Sequence, residues 1–155
     1  MAAHQQAIDD IKNVVANTPV LRFFDLNIPA TIQTDASSNG LGAALLQNDQ
    51  PVAYISRALT DAESRYAQIE KELLAILFAA EKFEHYIYGR HTVMHSNHRP
   101  LQSIFVKPIS QTTARLQRML VLLTKLFHRR TRASYVYNGC LAWYNVVLTH
   151  GSTQG

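Results

Sequence analysis

Two periodicities alternate along the chain. Between Thr60 and Gly89, apolar residues recur at three- and four-residue steps: Tyr66, Ile69, Leu73, Ile76, Leu77, Ala80, Phe83 and Ile87. That spacing predicts an amphipathic helix. Thr60-Asp-Ala-Glu63 has the form of a capping box at its start, and Gly89 stops it just after Tyr88. Upstream, Thr31–Asp35, Leu41–Gln47 and Val52–Ser56 read as three short strands joined by the turn-prone SSNG and NDQP. An earlier helix is predicted over residues 4–16, with Ala7, Ile8, Ile11, Val14 and Val15 on one face; Pro19 breaks it, and an extended lead-in follows. Downstream, a strand at 92–96 runs into Pro100, which opens a short helix. TTARLQRMLVLLTKLF predicts a longer helix, Ala133–Tyr137 a last strand, and from Asn138 the pattern fades.

The chain has 155 residues, 47% hydrophobic and 17% charged, as expected of one globular domain with a proper core. Its one cysteine, Cys140, excludes an internal disulfide. The N-terminus lacks an apolar signal core, and no apolar run approaches the roughly 18 residues of a membrane span. MLVLLTKLF is a buried helix, far too short to cross. These features predict a soluble intracellular protein, cytoplasmic or nuclear, with no membrane partner.

Charge is divided unevenly. All eleven acids lie at or before Glu84, so residues 1–84 carry a net −5, whereas residues 85–155 carry nine Lys/Arg, no acid and a net +9. A one-sided cationic half suits a polyanionic partner, because Lys and Arg on phosphates release counterions. The bland alternative is a solvated surface. Arg99, Lys107, Arg115 and Arg118, with the cluster Arg129, Arg130 and Arg132, are the candidate nucleic-acid contacts.

The order of three antiparallel strands, a long helix, a strand, helices and a strand carries IQTDASSNGLGAALLQ, YAQIEKELLAI, HYIYGR and HRPL. Together these segments resemble the ribonuclease H domain of gypsy-type LTR retrotransposon polyproteins. QQAIDDIKNVVANTPVLRFFD is similar to the segment that joins the reverse transcriptase to that domain. The resemblance implies an α/β, RNase H-like fold: a five-stranded mixed sheet flanked by helices. It divides the chain into a helix and connector at 1–30, the RNase H-like domain at 31–137 and a divergent tail at 138–155. The reverse transcriptase of the same polyprotein and an RNA–DNA hybrid are the implied partners.

The implied activity is hydrolysis of the RNA strand of a hybrid, with two Mg²⁺ ions about 4 Å apart activating water and stabilising the leaving oxygen. Hard cations of this kind prefer carboxylate oxygens. In the family, acids gather from the first strand, the first long helix, the fourth strand and the last helix. Asp35 of TDAS corresponds to the first; on its own it would read as a turn-capping Asp after a strand. For the second, YAQIEKEL offers Glu70 and Glu72, which lie roughly 90° and 70° to either side of the apolar stripe, so geometry does not choose. The family motif selects Glu72, the Glu before LLAI, and leaves Glu70 as a reserve ligand or a solvated, Lys-paired charge.

At the third position, where the family has a Thr-Asp-His type motif, this chain has Ser96-Asn97-His98. An amide oxygen can touch a cation but brings no charge, and two close cations need several carboxylates to offset their repulsion. The fourth acid would fall in the tail, where Thr149 aligns with it; no carboxylate follows Glu84 under any alignment. Asp35, Glu72 and Asn97 (in place of Asp) are thus the candidate catalytic set. Asp35 and Glu72 are the candidate metal ligands, holding Mg²⁺ or Mn²⁺ weakly if at all. His91, His95 and His98 form an H-x₃-H-x₂-H pattern that invites zinc, though exposed histidine is the plainer reading. Trp143 and Tyr144 suit base stacking or sheet cover equally. Two functions compete: a nuclease impaired by the loss of two of four acids, and an inactive nucleic-acid-binding or structural domain that keeps the fold.

Overall fold

The order of the strands begins with two tight hairpins. In the computed structural model, which describes residues 9, 12, 21–96, 98, 100–130, 132–137 and 140–142, with side chains to Leu126 apart from His91, Gln102, Phe105 and Val106, strand β1 spans Ala30–Ala36, β2 Gly40–Gln47 and β3 Gln50–Ala58. The β1–β2 loop is closed by Ser37, whose Oγ accepts the Asn39 and Gly40 N–H groups at 3.2 and 3.0 Å. A Cβ at Gly40 would stand 3.1 Å from the Arg57 carbonyl oxygen, so a side chain there would require the adjoining β3 backbone to give by a few tenths of an ångström. Between β2 and β3, Asn48 and Asp49 have φ of 50° and 58°. Two successive positive φ values make the turn whose twist matches paired strands, and Asn and Asp tolerate them best.

The chain then forms α1 (Asp61–Ser64), α2 (Gln68–Lys82) and α3 (Glu84–Ile87), followed by β4 (His91–Ser96), α4 (Pro100–Val106), a 3₁₀ turn at Ile109–Gln111, α5 (Ala114–Arg130), β5 (Arg132–Tyr137) and β6 (Cys140–Ala142). The sheet order is β3-β2-β1-β4-β5-β6. β1 pairs in parallel with β4 and β4 with β5; the other pairs are antiparallel. The sheet is mixed, as expected, but among the described residues it has six strands rather than five. β6 lies where no alternation was legible, and it pairs with β5 over three residues.

The single helix predicted from Thr60 to Tyr88 is instead three pieces. Thr60 and Glu63 do form the capping box, but that turn ends at Ser64, and Ala67 is extended at φ −60°, ψ 153°. Glu70 restarts the helix by accepting the Ala67 N–H at 3.0 Å. Two capped starts in one apolar stripe look continuous to a periodicity count. Of the helix expected over 4–16, Asp9 and Lys12 are helical and the rest lies outside the described residues.

One core unites the sheet with α2, α4 and α5: Ile32, Leu45, Leu73, Ile76, Leu101 and Leu123 are fully or almost fully buried within it. Each such side chain contributes about 1.5–3 kcal/mol relative to exposure, more than a surface ion pair. A buried polar group helps to tie down the lead-in at 21–29. Gln47, 1% exposed, accepts the Asp25 N–H and donates to the Asp25 and Ile28 carbonyls, which satisfies its buried amide. No helix among the described residues is long and apolar enough to cross a membrane.

The α1 start is also held from β3. Arg57 grips Glu63 through two hydrogen bonds of 2.7 and 3.0 Å, which pulls the Glu63 carboxyl down to about 2. A depressed carboxyl pKa stabilises the fold above the unfolded value near 4.5 and loses that contribution as pH falls toward 2. We expect Arg57→Met to cost about 1–2 kcal/mol at pH 7 and to flatten this part of the acid-unfolding profile. Denaturant titrations at pH 2 through 7 measure both effects.

Candidate functional site

The site is assembled where α2 meets the end of β1. Ala36 of β1, Leu41 of β2, and Ala75 and Phe78 of α2 form a second small core. Ala75 is fully buried, and a side chain of its size lets the helix approach the strand closely. Three residues earlier on the same helical face comes Glu72. It is 6% exposed and accepts a 3.0 Å hydrogen bond from Gln68 Nε2. The Ala36 N–H donates to it as well.

Asp35 occupies an exposed position of β1, one residue before Ala36. It lies close enough to Glu72 for its charge to be felt there. Burial first, and the Asp35 charge second among the raising influences, push the Glu72 carboxyl up to about 7; Gln68 and the Ala36 amide oppose them. A carboxylate buried beside a second acid is a strained arrangement in a metal-free protein, and it marks functional sites.

On the other flank, β4 runs parallel to β1 with Ser96 paired to Thr34 and His95 to Gln33. The strand predicted to present the third group therefore ends beside the residue before Asp35. Asn97 and Arg99 themselves lie outside the described residues. The His98 N–H donates to Ser96 Oγ at 3.2 Å, and burial lowers the His98 pKa. No three His, Cys, Asp or Glu side chains gather as a metal cage among the described residues. The His91 side chain is not among them, so the zinc pattern gains no support from His95 and His98.

Glu70 and Glu72 separate. Glu70 is 7% exposed and turned to α5, where Arg115 Nη1 meets its Oε2 at 3.0 Å. The same guanidinium lies 4.0 Å from the Tyr66 ring centroid. Glu70 is neither solvated nor paired with a Lys: it links the starts of α2 and α5. Arg115, a candidate phosphate contact, makes that link with its side chain half exposed, and Arg118 is also exposed on α5. Arg129 and Arg130 belong to α5 and Arg132 to β5, their side chains outside the described set. Trp143, Tyr144 and Thr149 are also outside it.

Comparison with known proteins decides the family. The family model of the RNase H-like domain found in reverse transcriptase matches residues 1–94. The chain belongs to that family. This RNase H-like domain is 38% identical, over 77% of its length, to the retrovirus-related Pol polyprotein from transposon 297 of Drosophila melanogaster, and 32% identical, over 85%, to that from transposon gypsy. It spans 11% and 13% of those polyproteins. The gypsy-type resemblance read from the sequence therefore holds. Among solved structures it is similar to the foamy viral protease-reverse transcriptase in complex with RNA/DNA hybrid, with TM-score 0.62 and 19% identity over 92% of this chain and 19% of that one. RNase H1 from the halophilic archaeon Halobacterium salinarum matches with TM-score 0.57 and 14% identity over 72% of this chain and 86% of that one. At such identities the likeness shows the fold.

Gln68 is the residue that sequence reasoning passed over. Its spacing from Glu72, four residues on one helix, was the available signal.

The raised Glu72 pKa has a consequence for stability without metal. The folded protein binds a proton between pH 4.5 and about 7 that the unfolded chain releases, so this group makes stability fall as pH rises through that window. We expect Glu72→Gln to leave stability nearly unchanged at pH 4 and to raise it at pH 8 in chelator, measured by denaturant unfolding.

Proposed function

We propose that this domain is the RNase H unit of a retrotransposon Pol polyprotein, acting on RNA–DNA hybrids with weak or absent hydrolysis. The observation that carries it is the placement of Glu72 against the end of β1 beside Asp35, in a chain with no carboxylate after Glu84. Asp35 and Glu72 offer hard oxygen donors, which fit Mg²⁺ or Mn²⁺ and not a soft metal. When bound, such an ion supplies water activation and charge neutralisation at a phosphodiester. The two residues would hold one ion. A second would face repulsion that the amide of Asn97 cannot offset.

The remaining parts of the chain bind and orient. The cationic half, Arg99, Arg118 and the Arg129–Arg132 cluster foremost, supplies phosphate contacts along the hybrid. The partner unit is the reverse transcriptase encoded upstream in the same polyprotein, with residues 1–30 as connector, 31–137 as the RNase H-like domain and 138–155 as a divergent tail. An intracellular location follows from such a substrate.

A second reading, a domain that binds nucleic acid without cutting it, is favoured by the same charge division: net +9 over residues 85–155. Cleavage of a labelled hybrid in Mg²⁺ and in Mn²⁺ separates the two. We expect little or no product from the chain as written. Asn97→Asp should raise cleavage about 10- to 100-fold yet leave it below a four-acid enzyme. Robust Mg²⁺-dependent cleavage abolished by Asp35→Asn would overturn the proposed impairment. Binding should weaken with salt on a log–log line, and neutralising Arg118 should reduce the slope by about 1; salt-independent binding would return these cations to a solvated surface.

A further inference from the structure

Gln68 stands one helical turn before Glu72 and reaches the end of β1. Its Nε2 donates to the Ala36 carbonyl oxygen at 3.0 Å and to Glu72 Oε1 at 3.0 Å. Both N–H groups of one amide are therefore directed: one to the residue that follows Asp35, the other to the buried acid. The Ala36 backbone is held from both sides, since its N–H meets the Glu72 carboxyl while its carbonyl receives Gln68. Three groups thus close a ring between helix and strand at the end of β1, where the Asp35 charge reaches Glu72.

We propose that Gln68 is a positioning residue of the site, which locks the Glu72 carboxylate in one rotamer at a fixed offset from Asp35. The inference rests on the reading of Asp35 and Glu72 as a ligand pair. Its physical basis is that Glu72 has two reasons to leave its place. The nearby Asp35 charge repels it, and burial penalises its ionised form. A flexible side chain under that pressure would swing away unless a donor holds it. Gln68 is such a donor, and its own anchor is a backbone carbonyl rather than another mobile side chain. The arrangement follows the general rule that ligating carboxylates are oriented by outer hydrogen bonds.

A bond that merely joined α2 to β1 would serve stability alone, so the test needs readouts that stability does not move. Gln68→Met keeps length and volume but removes both donors; Gln68→Asn keeps the amide but is too short to span both acceptors. The probe is Mn²⁺ alone, with affinity read from water-proton relaxation in the intact chain and with unfolding midpoints measured in chelator. We expect Mn²⁺ affinity to fall about 10- to 100-fold in either variant. In a Glu72→Gln background, Gln68→Met should change affinity less than twofold, because its effect passes through Glu72. Without metal, NMR couplings of the Glu72 methylenes should show one rotamer in the parent and averaging in Gln68→Met.

Full Mn²⁺ affinity in Gln68→Met, in a protein whose binding is weakened by Asp35→Asn and by Glu72→Gln, would overturn the positioning role and leave the ligand pair standing. A Glu72 rotamer that stays fixed in Gln68→Met would overturn it as well. Mn²⁺ binding indifferent to Asp35→Asn and Glu72→Gln would instead remove the ligand pair, and the role of Gln68 with it.

Discussion

The site depends on how closely α2 can settle on the end of β1. Ala36 and Ala75 are small, and Phe78 and Leu41 close over their edge. A bulky residue at either alanine would lift the helix from the strand, and core overpacking of this kind typically costs about 1–3 kcal/mol. The greater consequence would be geometric. Glu72, Gln68 and the Ala36 backbone meet only because that contact is short, and Glu72 carries a raised pKa only because it is buried there beside Asp35. Packing of four apolar side chains thus sets the electrostatics of a polar site.

The two glutamates of IEKEL show how one turn of helix divides labour. Glu70 caps Ala67 and pairs with Arg115, so its charge is matched and it fastens α5 to α2. Among the described residues Glu72 has an amide donor and a backbone donor but no cation, and the Asp35 charge reaches it. One glutamate is thus matched by a cation while its neighbour two residues on is held by neutral donors alone.

Much of this was legible in the chain itself. The turns at SSNG and NDQP, the strand alternation in TIQTD and the stripe from Ile69 to Ile87 all report local periodicity, and the elements formed there. What was illegible has nonlocal causes. The break before Ala67 arises because Glu63 is claimed by Arg57 of β3, while Glu70 caps a fresh start. β6 depends on a neighbouring strand rather than on any pattern of its own. The helical stripe left Glu70 and Glu72 symmetric and the family resemblance chose Glu72; the structure adds that Glu70 pairs with Arg115 on one side while Glu72 turns to the strand end on the other. Gln68 showed only through its four-residue spacing from Glu72, because its other bond, to a backbone carbonyl 32 residues away, leaves no periodic trace.

The central proposal is that Asp35 and Glu72 of this RNase H-like domain hold one divalent ion rather than two. Anomalous diffraction from crystals of the chain grown with Mn²⁺ tests it directly, since each ion is located and counted. The expected map has one partly occupied Mn²⁺ between Asp35 and Glu72 and none at Glu70. Two well-occupied ions about 4 Å apart, or a single ion that leaves Asp35 and Glu72 uncoordinated, would contradict it.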